Sequence, residues 1–296
     1  MKILQLQKLN PKQIKDVETL VKECLQADGL ERTIYLGNDV NYYVNLRSFF
    51  LLYDNERLVS VIAIFVPTYE EAELTAYTLP TERKKGYFKT LLKEVKAELL
   101  RFNDIRRVLF VIEPKSESGI ASVKALKAEY AKSEYLLSYQ FPESYDLAES
   151  KPGILKKEDK IILKELIEDN LQEAVKLSST IFQTDEEEVF EIIRLSMTTD
   201  YMKCYGAYLG MRLCGICNIS FGTEHASIFS FGISPEVQGK GFGRSLLKQV
   251  LGLIQSKNYN TVKLHVSSEN KRAFKLYTSE GFTIQTQYDY YEYKIR

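Results

Sequence analysis

Three glycines at alternate positions, Gly239, Gly241 and Gly243, separate a short apolar stretch, Ile228 to Ile233, from an amphipathic segment, Arg244 to Ile254. Glycine turns into the left-handed region at no steric cost and lets another group approach the main chain. A helix that opens directly after such a turn presents unpaired N–H groups and the positive end of its dipole. The pattern therefore predicts a strand, a tight turn through Ser234, Pro235 and Glu236, and a helix start that can cradle a phosphate. The competing reading is a turn that only connects a strand to a helix.

Two familiar phosphate loops do not fit. A Walker loop needs four residues between its first glycine and Gly-Lys, followed by Ser or Thr. Here Gly232 lies too far before Gly239-Lys240, and Gly241 stands where a hydroxyl would hold magnesium. A dinucleotide fingerprint reads Gly-x-Gly-x-x-Gly near the start of a βαβ unit; this run reads Gly-x-Gly-x-Gly and comes late in the chain.

Downstream, Thr261 to Val266 reads as a strand, and Asn270 begins a helix that Gly281 ends in the left-handed position. Gln238-Gly239-Lys240-Gly241-Phe242-Gly243, together with the run from Asn270 through Ala273, Leu276-Tyr277 and Gly281-Phe282, resembles the two signature motifs of the GNAT superfamily of N-acetyltransferases. The resemblance implies an acetyl-CoA cosubstrate and no metal. Its pyrophosphate would lie on the backbone of Gln238, Gly239, Lys240, Gly241, Phe242, Gly243 and Arg244. Its pantetheine would run beside Phe231, Gly232 and Ile233 like a missing strand, and a glycine inside a strand fits close approach by another backbone. Asn270 is either a helix cap alone or a cap that also touches the cosubstrate.

Acetyl transfer to an amine needs the thioester held and polarised, the leaving thiolate stabilised, and the amine deprotonated. An alkyl ammonium with a pKa of about 10 is mostly protonated at neutral pH. The resemblance makes Tyr277 the general acid, although Ala273, Phe274, Leu276 and Tyr277 also share one helical face and read as core. It further implies a glutamate base at position 227, where this chain has Ser227. Glu224 and His225 are the nearby candidates, and His265 in the next strand is the other histidine. Glu70, Glu71 and Glu73, in the first half, either line an acceptor cleft or form a solvated loop before a strand. The tyrosine-rich end, Tyr288 to Tyr293, reads as a last strand.

The first half repeats the grammar of the second. Leu51 to Phe65 reads as strand, turn, strand, like Cys204 to Cys217. Arg83 precedes Gln238 by 155 residues, and the strand Arg107 to Ile112 precedes Thr261 to Val266 by 154. A near-constant offset across several elements points to duplication of a domain. The first copy keeps Arg83 and Gly86 but has Phe88 in place of the last glycine. Gly119 to Tyr130 reads as a helix and Ser133 to Phe141 as a strand. The expected fold is α/β (α+β), two tandem GNAT folds, each a mixed, mostly antiparallel sheet flanked by helices. The expected domains are 1–147, with degenerate motifs, and 160–296, joined by a linker at 148–159. The expected activity is acetyl transfer to a primary amine of a small molecule in the second domain. The alternatives are a non-catalytic acyl-CoA sensor and acetyl-CoA binding by both domains.

The charge is balanced, with 40 acidic and 40 basic residues among 296, which offers no electrostatic case for nucleic acid or an anionic membrane. No apolar run is long enough to span a bilayer and the N-terminus lacks a signal-peptide core, so a cytoplasmic protein is expected. Cys214 and Cys217 have metal or redox spacing without a partner cluster, and read as buried strand thiols. No residue pattern bears on oligomeric state.

Overall fold

The computed structural model of the chain describes residues 1–142 and 160–295. The described chain falls into two compact units, Met1–Ser133 with Thr286–Arg296, and Glu134–Gln285.

In the first unit β1 (Lys2–Leu6), β2 (Phe49–Asp54), β3 (Arg57–Phe65), β4 (Glu71–Thr78), β5 (Arg107–Ile112) and β12 (Thr283–Tyr293) follow one another across the sheet. Only β4 and β5 run parallel. Helix α1 (Pro11–Asp28) begins at a capping box: Asn10 accepts from the Gln13 N–H while Gln13 reaches back to the Asn10 N–H. It buries Val17, Leu20, Val21 and Cys24, the i, i+3, i+4, i+7 stripe of a helix lying on a sheet. α2 (Tyr87–Leu99) buries Leu91, Leu92, Val95 and Leu99 in the same core, and α3 (Glu117–Ala125) follows β5.

The second unit has the strand order β6 (Glu129–Gln140), β11 (Thr261–Ser267), β10 (Ala226–Ile233), β9 (Arg212–Phe221), β8 (Met202–Leu209), β7 (Ile162–Glu165). Only β10 and β11 pair in parallel. Helices α4 (Leu171–Phe182) and α5 (Glu186–Thr198) pack on one face, where Ala174, Val175 and Ile193 meet Cys204 and Ile216. α6 (Phe242–Ser256) covers the other face with Leu246, Leu247, Val250 and Ile254, and α7 (Lys271–Ser279) lies beside it. Cys214 and Cys217 are buried in β9, and burial pushes both thiols up.

Several expectations change here. The division at 1–147 and 160–296 does not match the compact units: Glu134 to Gln140 close the second sheet against β11, and Asp289 to Tyr293 close the first against β5. Each half lends its last strand to the other half's sheet. The linker at 148–159 lies outside the described residues. The helix expected over 119–130 stops at Ala125, where Lys127 takes a positive φ of 56° and β6 starts at Glu129. Glu71 and Glu73 are in β4 rather than in a loop before it. Arg107 and Lys132 pair with Glu71, Arg32 with Glu73 and Arg106 with Glu70, so these carboxylates are committed within the first unit.

Candidate functional site

The parallel pairing of β10 with β11 joins Ala226, Ser227 and Ile228 to Val262, Lys263 and Leu264. Beyond Ile228 the two strands diverge, although β10 continues to Ile233 and β11 to Ser267. The divergence coincides with a bulge: Ser230 has φ 46°, and the register with β9 shifts between Phe229 and Gly232. Phe229 to Ile233, about 16 Å of strand, therefore line one arm of a fork whose mouth is at Ile233.

The glycine loop sits at that mouth. Ser234 leads into a short 3-10 turn, Pro235–Val237, and Gln238 is extended. Gly239 and Gly241 then take φ of 81° and 86°, and Gly241 is the residue from which α6 starts. Side chains rarely adopt these angles, and no atom lies within 4 Å of a Cβ at either position, so the requirement is conformational. Gly243 has an ordinary φ, and a Cβ there would meet Leu276 at an ordinary 3.6 Å.

The side chain of Gln238 braces the loop. Its Nε2 donates to the Ile233 carbonyl at 2.8 Å, and its Oε1 accepts from Arg272 Nη1 at 2.6 Å. Arg244 turns away to Glu280 (2.7 Å) and Ser279 (3.0 Å). The first N–H groups of α6 have no partner within the helix, the donor set that suits a pyrophosphate. Asn270 caps α7, its Oδ1 accepting from the Ala273 N–H at 3.0 Å. A Cβ on Gly232 would also clash with Ile181 Cγ2, so the glycine makes room for α4 as well.

Tyr277 lies in the core on the α6 and α7 face. Its ring meets Phe231 edge-on at 5.9 Å and Phe282 at 5.8 Å. Burial pushes the phenol well above its ordinary value. Glu224 and His225 stand just before β10, at the closed end of the strand pair and about 10 Å of strand from the fork. Burial and Lys263 lower the His225 pKa, partly opposed by Glu224.

The first unit carries a parallel arrangement. β4 and β5 pair only as far as Leu74 and Phe110. Arg83 braces its loop much as Gln238 does: Nε donates to the Thr78 carbonyl at 3.2 Å, and the two Nη groups grip Asp28 at 2.9 and 2.6 Å. Both braces reach the carbonyl five residues back, which explains why a long donor side chain is needed at this place. A cavity of about 470 Å³ lies here, lined by Thr75, Tyr77, Phe88, Val111, Glu113 and Gly119 among others.

Comparison with known proteins agrees with the sequence motifs. Residues 166–282 match the acetyltransferase (GNAT) family. Mycothiol acetyltransferase of Beutenbergia cavernae is 39% identical over 56 residues, 19% of this chain and 19% of that protein. The [ribosomal protein bS18]-alanine N-acetyltransferase of Escherichia coli is 32% identical over 63 residues, 21% of this chain and 43% of that protein. The chain thus matches less than half the length of either relative. Among solved structures, a GNAT-type N-acetyltransferase from Sphaerobacter thermophilus superposes with a TM-score of 0.74 at 15% identity, over 99% of this chain and 96% of that one. A tandem GNAT protein from the clavulanic acid biosynthesis pathway gives 0.69 at 16% identity, over 100% and 99%. Residues 166–282 are an acetyltransferase (GNAT) family domain, in a chain with the tandem GNAT fold.

Proposed function

We propose that the second unit is an acetyl-CoA-dependent N-acetyltransferase acting on a primary amine of a small molecule. The observation that carries this reading is the fork: parallel pairing lapses at Ile228 and Leu264, and β10 then runs into a loop whose glycines Gly239 and Gly241 take positive φ at the start of α6. When bound, acetyl-CoA supplies an activated acetyl thioester. Phe231, Gly232 and Ile233 would align the pantetheine arm along β10, and the backbone from Gln238 to Arg244 would hold the pyrophosphate. Tyr277 would serve the leaving sulfur. Its raised pKa keeps the phenol protonated at any working pH, so its contribution is a hydrogen bond to charge developing on sulfur. A small-molecule acceptor is favoured because the balanced charge gives no basis for a nucleic-acid or anionic partner.

A second reading concerns the first unit. Its braced loop, diverging strands and cavity of about 470 Å³ support a second acetyl-CoA site there. Release of free thiol from acetyl-CoA across a panel of primary amines tests the principal reading. Amine-dependent release, lost in Tyr277→Phe with acetyl-CoA affinity retained, is expected. Tight binding without release for any amine would favour an acyl-CoA sensor instead.

A further inference from the structure

We propose that His265, backed by Glu134, is the base that deprotonates the acceptor amine. This rests on the transferase reading of the second unit and assigns the one role that reading leaves open.

The argument begins with register. Val262, Leu264 and Val266 of β11 face the core beneath α6, and alternation along the strand sends His265 to the opposite face. That is the face on which α4 and α5 pack over β9. His265 is also the first residue of β11 beyond the last pair, Ile228 with Leu264, so it stands at the base of the fork. A chain entering at the mouth near Ile233 and running along Phe229 to Ile233 ends at this point. Tyr277 approaches the fork from the core side, through Phe231. The two groups therefore approach the fork from opposite faces of the sheet, so one can meet the amine while the other meets the sulfur.

Glu134 makes the imidazole more than a solvated side chain. On β6, Glu134 pairs with Ser267 while His265 pairs with Leu136, so Glu134 is the diagonal neighbour of His265 on the same face. His265 Nδ1 lies 3.9 Å from Glu134 Oε2. The side chain of His265 is 49% exposed, which keeps it reachable. Lys263 precedes it on the same face and is the other charge in its row of β11. By comparison, His225 stands at the closed end of the strand pair.

The protons balance as follows. An ammonium acceptor loses a first proton to His265 Nε2, and the carboxylate of Glu134 stabilises the imidazolium before it returns that proton to solvent. The freed nitrogen lone pair forms the C–N bond as the C–S bond breaks. The second nitrogen proton ends on the coenzyme sulfur, to which Tyr277 donates a hydrogen bond. The products are an amide, a free thiol and one proton.

The test measures thiol release from acetyl-CoA with an amino sugar, a polyamine, an aminoglycoside and an amino-acid amide, alongside calorimetric binding of acetyl-CoA. His265→Ala is expected to lower kcat about 100-fold with acetyl-CoA affinity within twofold of wild type, and added imidazole should restore part of the rate. Glu134→Gln is expected to lower kcat about tenfold. In the His225→Gln chain a single imidazole remains, and its C–H resonance should shift when acetyl-CoA binds. Normal turnover in His265→Ala, loss confined to His225→Gln, or a His265 resonance indifferent to acetyl-CoA overturns the assignment and leaves the transferase reading standing. Binding without thiol release for all four amines also counts against it. Failure of the wild type to bind acetyl-CoA removes the transferase reading itself, and this assignment with it.

Discussion

Gly86 and Gly241 stand 155 residues apart and hold the same backbone conformation, φ 86° and ψ 0°, each as the residue from which a helix starts. The likeness extends back through the loop. Leu79 and Ser234 both have φ −46°, and Arg83 and Gln238 are extended at φ −68° and −64°. At the position of Gly239 the first unit places Lys84, which still takes φ 64°. The loop shape thus survives the loss of a glycine that would make it easy.

Backbone conformation alone sets the cost at these positions, since no atom lies within 4 Å of a Cβ on Gly86 or Gly241. Gly86→Ala and Gly241→Ala should each lower stability by about 1 kcal/mol, and Lys84→Gly should leave it unchanged or raise it by up to about 0.5 kcal/mol. Urea unfolding checks this. A loss above about 3 kcal/mol for either alanine variant would mean that packing, not φ, governs the turn.

Gly232 and Ile181 form a tighter pair. Gly232→Ala should cost about 1–3 kcal/mol through overpacking against Ile181. Adding Ile181→Val should recover part of that loss, and a double-mutant cycle measures the coupling. Strictly additive effects would place the strain elsewhere.

Much of this site was legible in the sequence because its signals are local. Gly239 and Gly241 announce positive φ, and Asn270 and Gly281 bracket a helix within a dozen residues. The strand exchange was not legible. β6 (EYAKSEYLLSYQ) and β12 (TIQTQYDYYEY) are both tyrosine-rich and polar by turns, so either would suit either sheet edge. Their partners are fixed by pairing across more than a hundred residues. The packing of Gly232 against α4 was not legible for the same reason, since its neighbour Ile181 lies on a helix far back in the chain. His265 carried no local signal either: only the register of β11 against β10 and β6 places it in the fork.

Tyr277→Phe should retain acetyl-CoA affinity within about threefold and lose roughly 100-fold in kcat, because only the hydroxyl that serves the sulfur is removed. Steady-state thiol release with calorimetry separates the two effects. Equal turnover by the variant would leave Tyr277 a core residue only.

Glu98 gives a pH prediction for the first unit. It is fully buried; desolvation raises its pKa, but hydrogen bonds from Arg47 (Nε at 2.6 Å and the backbone N–H at 2.9 Å) and Arg101 outweigh this and hold it below the ordinary value. A carboxylate depressed in the folded state contributes stability above its unfolded pKa of about 4.3 and loses it as pH falls through the folded value. Glu98→Gln should therefore destabilise at pH 7 by about 3 kcal/mol, and the gap from wild type should narrow below pH 4. Thermal unfolding across pH 3 to 7 reads this directly, and a gap independent of pH would contradict it.

The most direct test of the account is calorimetric titration of acetyl-CoA into the wild-type chain and into Gly241→Glu, which would set a carboxylate where the phosphates are expected. The account predicts binding by the wild type and the loss of one equivalent in the variant. No binding to the wild type, or binding unchanged by Gly241→Glu, would contradict it.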